Sequence, residues 1–166
     1  MAKSFGSYIL DTSAFISLES IGFLSKVLQV FSVTTTNSVI KELEAFAKHD
    51  DTYGKIAKEI LKRISEFTVE SCEITESIKY IEPTDNELYN LALKKNIPLI
   101  TDETKLVHHA REKIEVYFTP VFLVLSIEMK QISKKEALDK LENLKNRRNW
   151  GNNIIYLVFK DQIEKL

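Results

Sequence analysis

Short runs of consecutive apolar residues alternate along this chain with longer stretches in which apolar residues return every three or four positions. The first pattern reads as strands buried on both faces, the second as helices packed by one face. Strands are expected over residues 7–10, 30–34, 67–70, 99–101 and 116–118, the second from its β-branched residues. Helices are expected over 15–28, 38–48, 53–65, 74–80, 85–94, 103–114 and 134–145, with an apolar helix opening at Thr119-Pro120. Two of these have written start signals. Pro83 precedes the helix over 85–94, and Thr84-x-x-Glu87 spells a capping box. Thr119 is placed to cap a helix whose first residue is Pro120. Gly151 is expected to end the 134–145 helix or the turn after it. Strands alternating with helices imply an α/β fold, a central parallel sheet with helices on both faces.

The chain has 166 residues, 44% of them hydrophobic, which suits a single domain over 1–166 with a substantial core. Its formal net charge is -1, so any nucleic-acid contact must use a local patch rather than a global field. Cys72 is the lone cysteine, so neither an internal disulfide nor a cysteine zinc site can form within one chain. The longest apolar run, over 121–127, is too short to span a bilayer. A cytoplasmic protein without a membrane partner is the expectation.

Two of the apolar runs end in an aspartate: Tyr8-Ile9-Leu10-Asp11 and Pro98-Leu99-Ile100-Thr101-Asp102. In open α/β sheets ligands bind outside the carboxyl ends of the strands. Each aspartate also precedes a helix, where it could serve only as a cap. That plainer reading is stronger for Asp102 than for Asp11, because Thr12 and Ser13 can cap instead. Glu42 borders the apolar face formed by Val39, Leu43, Phe46 and Ala47, and has no basic residue four positions away. Asp85 falls in the first turn of its helix, where negative charge is favoured anyway. Taken together, the four acids can face one end of the sheet. At an effective dielectric near 20, two unit charges about 4 Å apart repel by about 4 kcal/mol, so such a cluster calls for cations. Oxygen donors without thiolate or imidazole suit Mg²⁺ or Mn²⁺.

These residues resemble the PIN-domain nucleases over nearly the whole chain. The matching pieces are Leu10-Asp11-Thr12-Ser13-Ala14-Phe15-Ile16, Val39-Ile40-Lys41-Glu42-Leu43, Asp85-x-x-Leu88-x-x-Leu91-Ala92 and Leu99-Ile100-Thr101-Asp102-Glu103-x-x-Leu106-x-x-x-Ala110. The resemblance implies a three-layer α/β/α sandwich. It implies that Asp11, Glu42, Asp85 and Asp102 bind one or two Mg²⁺ or Mn²⁺ ions and cleave single-stranded RNA, with Thr12, Ser13 and Thr101 orienting the carboxylates. Glu103 stands where many relatives carry a further aspartate, and is a fifth candidate ligand. The toxin branch, with a cognate antitoxin and a homodimer, and the ribosomal-RNA-processing branch are both compatible. So is a PIN-like binding module without activity. Lys105 and His108 are the candidate RNA contacts, on a helix that starts beside Asp102. Lys94, Lys95, Arg147 and Arg148 add positive charge, an ordinary solvated face is the favoured reading for His109, Lys94 and Lys95, and Trp150 is expected to pack rather than stack a base. Neither a phosphatase nor a phospho-receiver reading fits: Ser13 occupies the place of the general acid, and no middle-strand phosphoacceptor aspartate is present.

Overall fold

The computed structural model describes residues 5–166. Five strands form one sheet: β1 (Ser7–Leu10), β2 (Ser32–Thr36), β3 (Thr68–Glu70), β4 (Leu99–Ile100) and β5 (Val116–Tyr117). Their order is β3-β2-β1-β4-β5, and every neighbouring pair is parallel. The α/β architecture expected from the alternation is therefore present, a parallel sheet flanked by helices. The order reverses between β1 and β4. Chains leaving these two neighbours depart in opposite directions, which opens a crevice at their carboxyl ends. Ile9 pairs with Leu99 and Leu10 with Ile100, so Asp11 and Thr101 emerge side by side.

Several elements depart from the sequence reading. The expected helix over 15–28 is two helices, α1 (Thr12–Ser20) and α2 (Leu24–Val30), bent by 113°. Gly22, with φ +63, ends the first. Phe23 N–H donates to the Leu18 carbonyl (2.8 Å) and Gly22 N–H to that of Glu19 (3.0 Å), a paired C-cap that needs a residue in the left-handed region. Ile21-Gly22 was the stop signal. The helices α3 (Asn37–Phe46) and α4 (Thr52–Lys62) are present but end two and three residues before the expected bounds, and Phe46 is 42% exposed rather than core.

No helix forms over 74–80. That stretch is a loop stapled by two buried asparagines of α5 (Pro83–Lys95). Asn90 Oδ1 accepts from Thr75 N–H and Glu76 N–H (3.0 and 2.9 Å), and Asn86 Oδ1 accepts from Ile78 N–H (2.7 Å). The side-chain amides satisfy backbone groups that a helix would otherwise have paired. The capping box is not used either. Helix α5 begins at Pro83 with Glu82 as its N-cap, so Thr84 is already inside it, and Glu87 accepts from Cys72 N–H instead.

Helix α6 (Thr104–Ala110) is shorter than expected, and α7 (Val121–Glu128) starts one residue late, with Pro120 at the N-cap. Helix α8 (Lys134–Arg147) leads into α9 (Ile154–Lys165), which the sequence reading did not assign. Its signal was there: Ile155, Tyr156, Phe159 and Ile163 are buried at helical spacing, and Asn153 caps the start by accepting from Ile155 N–H (2.7 Å). Trp150 packs against the core, as expected. Among the described residues no single helix is long and apolar enough to cross a membrane.

Candidate active site

Leu10 ends β1, and Asp11 N–H still donates to the Ile100 carbonyl (3.2 Å) as the chain turns into α1 at the crevice. Asp11 is the N-cap of α1, accepting from Ala14 N–H (2.7 Å). The plainer reading judged weaker for Asp11 thus holds for it, alongside any chemistry. Its carboxylate is buried and also receives the Ser13 hydroxyl (2.8 Å) and the Thr101 hydroxyl (2.5 Å). Thr101 itself is fully buried and sits across the β1–β4 seam. Burial pushes Asp11 up to about 7; the bonds from Thr101, Ala14 and Ser13 oppose this, and the neighbouring Asp102 charge adds to it.

Asp102 is not a cap. The N-cap of α6 is Glu103. The Asp102 carboxylate turns into the protein, where it accepts from the Ser17 hydroxyl (2.6 Å) and Thr119 N–H (2.9 Å). Its own N–H donates to Ser13 Oγ (2.9 Å), which ties the two strand ends together through one hydroxyl. Enclosure of the carboxylate raises its pKa against the bonds from Ser17 and Thr119 and the charge of Arg148.

Outside Asp11 lies an open cleft of about 300 Å³. Asp11, Glu42, Glu82, Asp85 and Glu103 line it, with the hydroxyls of Thr12, Ser13 and Thr84 between them. Thr12 Oγ1 donates to Glu42 Oε2, so the hydroxyl one position after Asp11 holds the glutamate of α3 in place. Asp85 is pushed up to about 6, first by burial and then by the charges of Glu103, Glu42 and Glu82. A carboxylate raised by three others shows that the acids share one field.

The structure thus gathers Asp11, Glu42, Asp85 and Glu103 of the expected residues and puts Thr12, Ser13 and Thr101 on their carboxylates. Asp102 stands one layer behind the cleft, in contact with it through Ser13. Lys105 and His108 are exposed on α6 and do not line the cleft. Glu82 was missed, and its place just before Pro83 at a helix start was the available signal.

The donor chemistry fits a hard divalent cation. Among the described residues five carboxylates and no basic side chain line the cleft. Among the described residues no three acids, histidines or cysteines are close enough to form a finished cage, so closing one around an ion needs side-chain rotation.

The family model described as "DUF3368: PIN domain" matches residues 7–165. The chain belongs to the PIN-domain family. PIN-domain proteins are typically nucleases that use divalent metals. No curated protein matches the sequence. The fold is similar to that of a PilT N-terminus domain protein, SSO1118, from Sulfolobus solfataricus P2, at TM-score 0.51 and 15% identity over 74% of this chain and 94% of that one. Weaker likenesses are to VapBC2 from Rickettsia felis bound to a DNA fragment from its promoter (TM-score 0.47, 13% identity, 68% and 98% of the two chains) and to a domain of a functionally unknown protein from Methanocaldococcus jannaschii (TM-score 0.47, 18% identity, 68% and 90%). In this PIN domain the switch-point crevice and the acid cleft are the same place.

Proposed function

We propose that this PIN-domain protein is a Mg²⁺- or Mn²⁺-dependent endoribonuclease that hydrolyses phosphodiester bonds of single-stranded RNA. The observation that supports it is the convergence of Asp11, Glu42, Asp85 and Glu103 on one cleft at the strand-order reversal, with Asp11 and Asp85 both pushed well above the ordinary carboxylate range. Such a cleft repels a polyanion unless cations are taken up first. A bound divalent ion lowers the pKa of water to give a nucleophile and neutralises charge on the phosphoryl oxygens.

The chain's own residues prepare that chemistry. Asp11, Asp85, Glu42 and Glu103 supply the oxygen donors. Thr101, Ser13 and Ala14 N–H hold the Asp11 carboxylate in one orientation, and Thr12 does the same for Glu42. Asp102 is a positioning residue in this account. Its bonds to Ser17 and Thr119 lock the start of α6, and so aim Glu103 into the cleft.

The test is incubation of purified protein with a single-stranded RNA oligonucleotide and Mn²⁺. Cleavage leaving 5′-phosphate ends, stopped by chelator and absent in Asp11→Asn and Asp85→Asn, is the expected result. Equal cleavage by Asp11→Asn overturns the assignment. The proposal takes in a cognate antitoxin, as for toxin-type PIN domains. Induced expression should then arrest growth in a manner that Asp11→Asn abolishes.

A further inference from the structure

Beside the acid cleft a second one of about 290 Å³ opens along the same wall. The two share Thr12, Ser13, Glu42 and Glu103. The second adds Phe46, Tyr53 and Arg148. Phe46 closes α3 and is 42% exposed; Tyr53 opens α4 and is 38% exposed. Two aromatic rings are thus left on the surface where the cleft, rather than the core, is their neighbour.

They are held stiffly. Helices α3 and α4 meet at Gly54, where a Cβ would lie 2.0 Å from the His49 carbonyl oxygen and 2.8 Å from that of Phe46. Only a residue without a side chain lets the α4 start sit this close. Asp51 then caps the helix by accepting from Gly54 N–H (2.7 Å).

Arg148 comes from the far end of the chain. It is the C-cap of α8, which packs on α1 and so reaches the cleft edge. Its guanidinium lies 5.9 Å from the Tyr53 ring centroid. Its Nε is buried without a hydrogen-bond partner; among the described residues no carboxylate pairs with it within 4.0 Å, and its charge acts at longer range on the Asp102 carboxylate. A buried guanidinium N–H without an acceptor costs stability. Among the described residues Arg148 is also the only basic side chain lining either cleft.

We propose that Phe46, Tyr53 and Arg148 form a nucleotide subsite for single-stranded nucleic acid, adjoining the acid cleft. The rings stack one base and Arg148 takes the phosphate of that nucleotide. Stacking on aromatic faces tolerates any base, and arginine binds phosphate through paired N–H donors. A protein segment would use the rings but has no need of a guanidinium at the edge of an acid cleft. The proposal rests on the nuclease reading for its substrate class, and its own residues lie outside the acids.

The test is fluorescence anisotropy of the whole chain with a labelled oligouridylate and with an abasic strand of the same length. Ca²⁺ replaces Mn²⁺ to keep the strand intact. Tyr53→Ala and Phe46→Ala should each weaken oligouridylate binding by about tenfold and leave abasic binding unchanged. Tyr53→Leu, which keeps apolar bulk without a π face, should not restore it. Arg148→Gln should weaken both strands and reduce the log–log salt slope by about 0.7, and Arg148→Lys should restore the slope but not the full affinity. Melting temperatures of the variants report whether the fold is kept. The proposal is overturned if the parent binds no strand, if it binds both strands alike, or if folded variants bind as the parent does. The second outcome would leave the ring pair to a protein partner. Cleavage with Mn²⁺ is scored on the same samples. Base-dependent binding without cleavage sinks the nuclease reading and leaves the subsite; cleavage and binding indifferent to all three residues do the reverse.

Discussion

Replacing Asp11 by asparagine removes the ionisation of a buried carboxyl while nearly keeping its shape. In the metal-free protein this group titrates at about 7, against 3.8 for its unperturbed value. An acid whose folded pKa lies above its unfolded one stabilises the folded state at low pH. Between pH 3.8 and about 7 the folded chain holds a proton that the unfolded chain has lost, so stability falls as pH rises through that window. Above about 7 the loss is complete, on the order of 4 kcal/mol at about 1.4 kcal/mol per pKa unit. The asparagine carries no such penalty. It does lose one good contact, because Ala14 N–H, Ser13 and Thr101 all donate to Asp11 and the amide has only one oxygen to receive them. That costs about 1 kcal/mol.

The parent should therefore be the more stable below roughly pH 4, and Asp11→Asn by about 3 kcal/mol at pH 8, with a crossover between about pH 4 and 5. Urea denaturation of both proteins across this range, in chelator, measures the difference curve, in which other titrating groups largely cancel. Mg²⁺ should close the gap at pH 8 by stabilising the parent more than the variant. A difference curve that is flat with pH, or an asparagine variant less stable than the parent at pH 8, refutes the account of the buried carboxyl.

Asp85 and Asp11 are pushed up to about 6 and about 7, so Mn²⁺ binding should strengthen as pH rises through both values, and Asp85→Asn should weaken binding and remove the lower part of that rise in calorimetric titration. Gly54→Ala places a methyl group against two backbone carbonyls that cannot swing aside, and should cost about 3 kcal/mol in urea denaturation, with reduced order in the Tyr53 region. Asn90→Ala removes the acceptor for Thr75 N–H and Glu76 N–H and the donor to the Glu76 carbonyl (2.7 Å), and should cost about 3 kcal/mol; proteolysis should then nick the 74–82 loop first. Ser17→Ala leaves the enclosed Asp102 carboxylate short of one donor, and should lower stability by about 2 kcal/mol and slow cleavage without touching the cleft.

Much of this protein was legible in one dimension because its signals are local. Apolar runs marked the strands, alternation marked the parallel sheet, and Asp11, Glu42 and Asp85 stood at strand ends, rims and helix starts that a sheet of this kind turns toward one edge. The stop at Ile21-Gly22 and the apolar spacing of 155, 156, 159 and 163 were equally local and went unread. The rest depends on partners far away in sequence. Nothing near Asp102 says that its carboxylate belongs to Ser17 and Thr119, or that Glu103 takes its place at the cleft. Nothing near residue 74 says that asparagines on the next helix will hold it out of a helix. Arg148 looks like any basic residue at a helix end until α8 packs on α1. Residue types and periodicity determined which elements form and which acids were available. Strand order, side-chain rotation and helix packing decided which of them meet, because those choices are made by hydrogen bonds and contacts that span most of the chain.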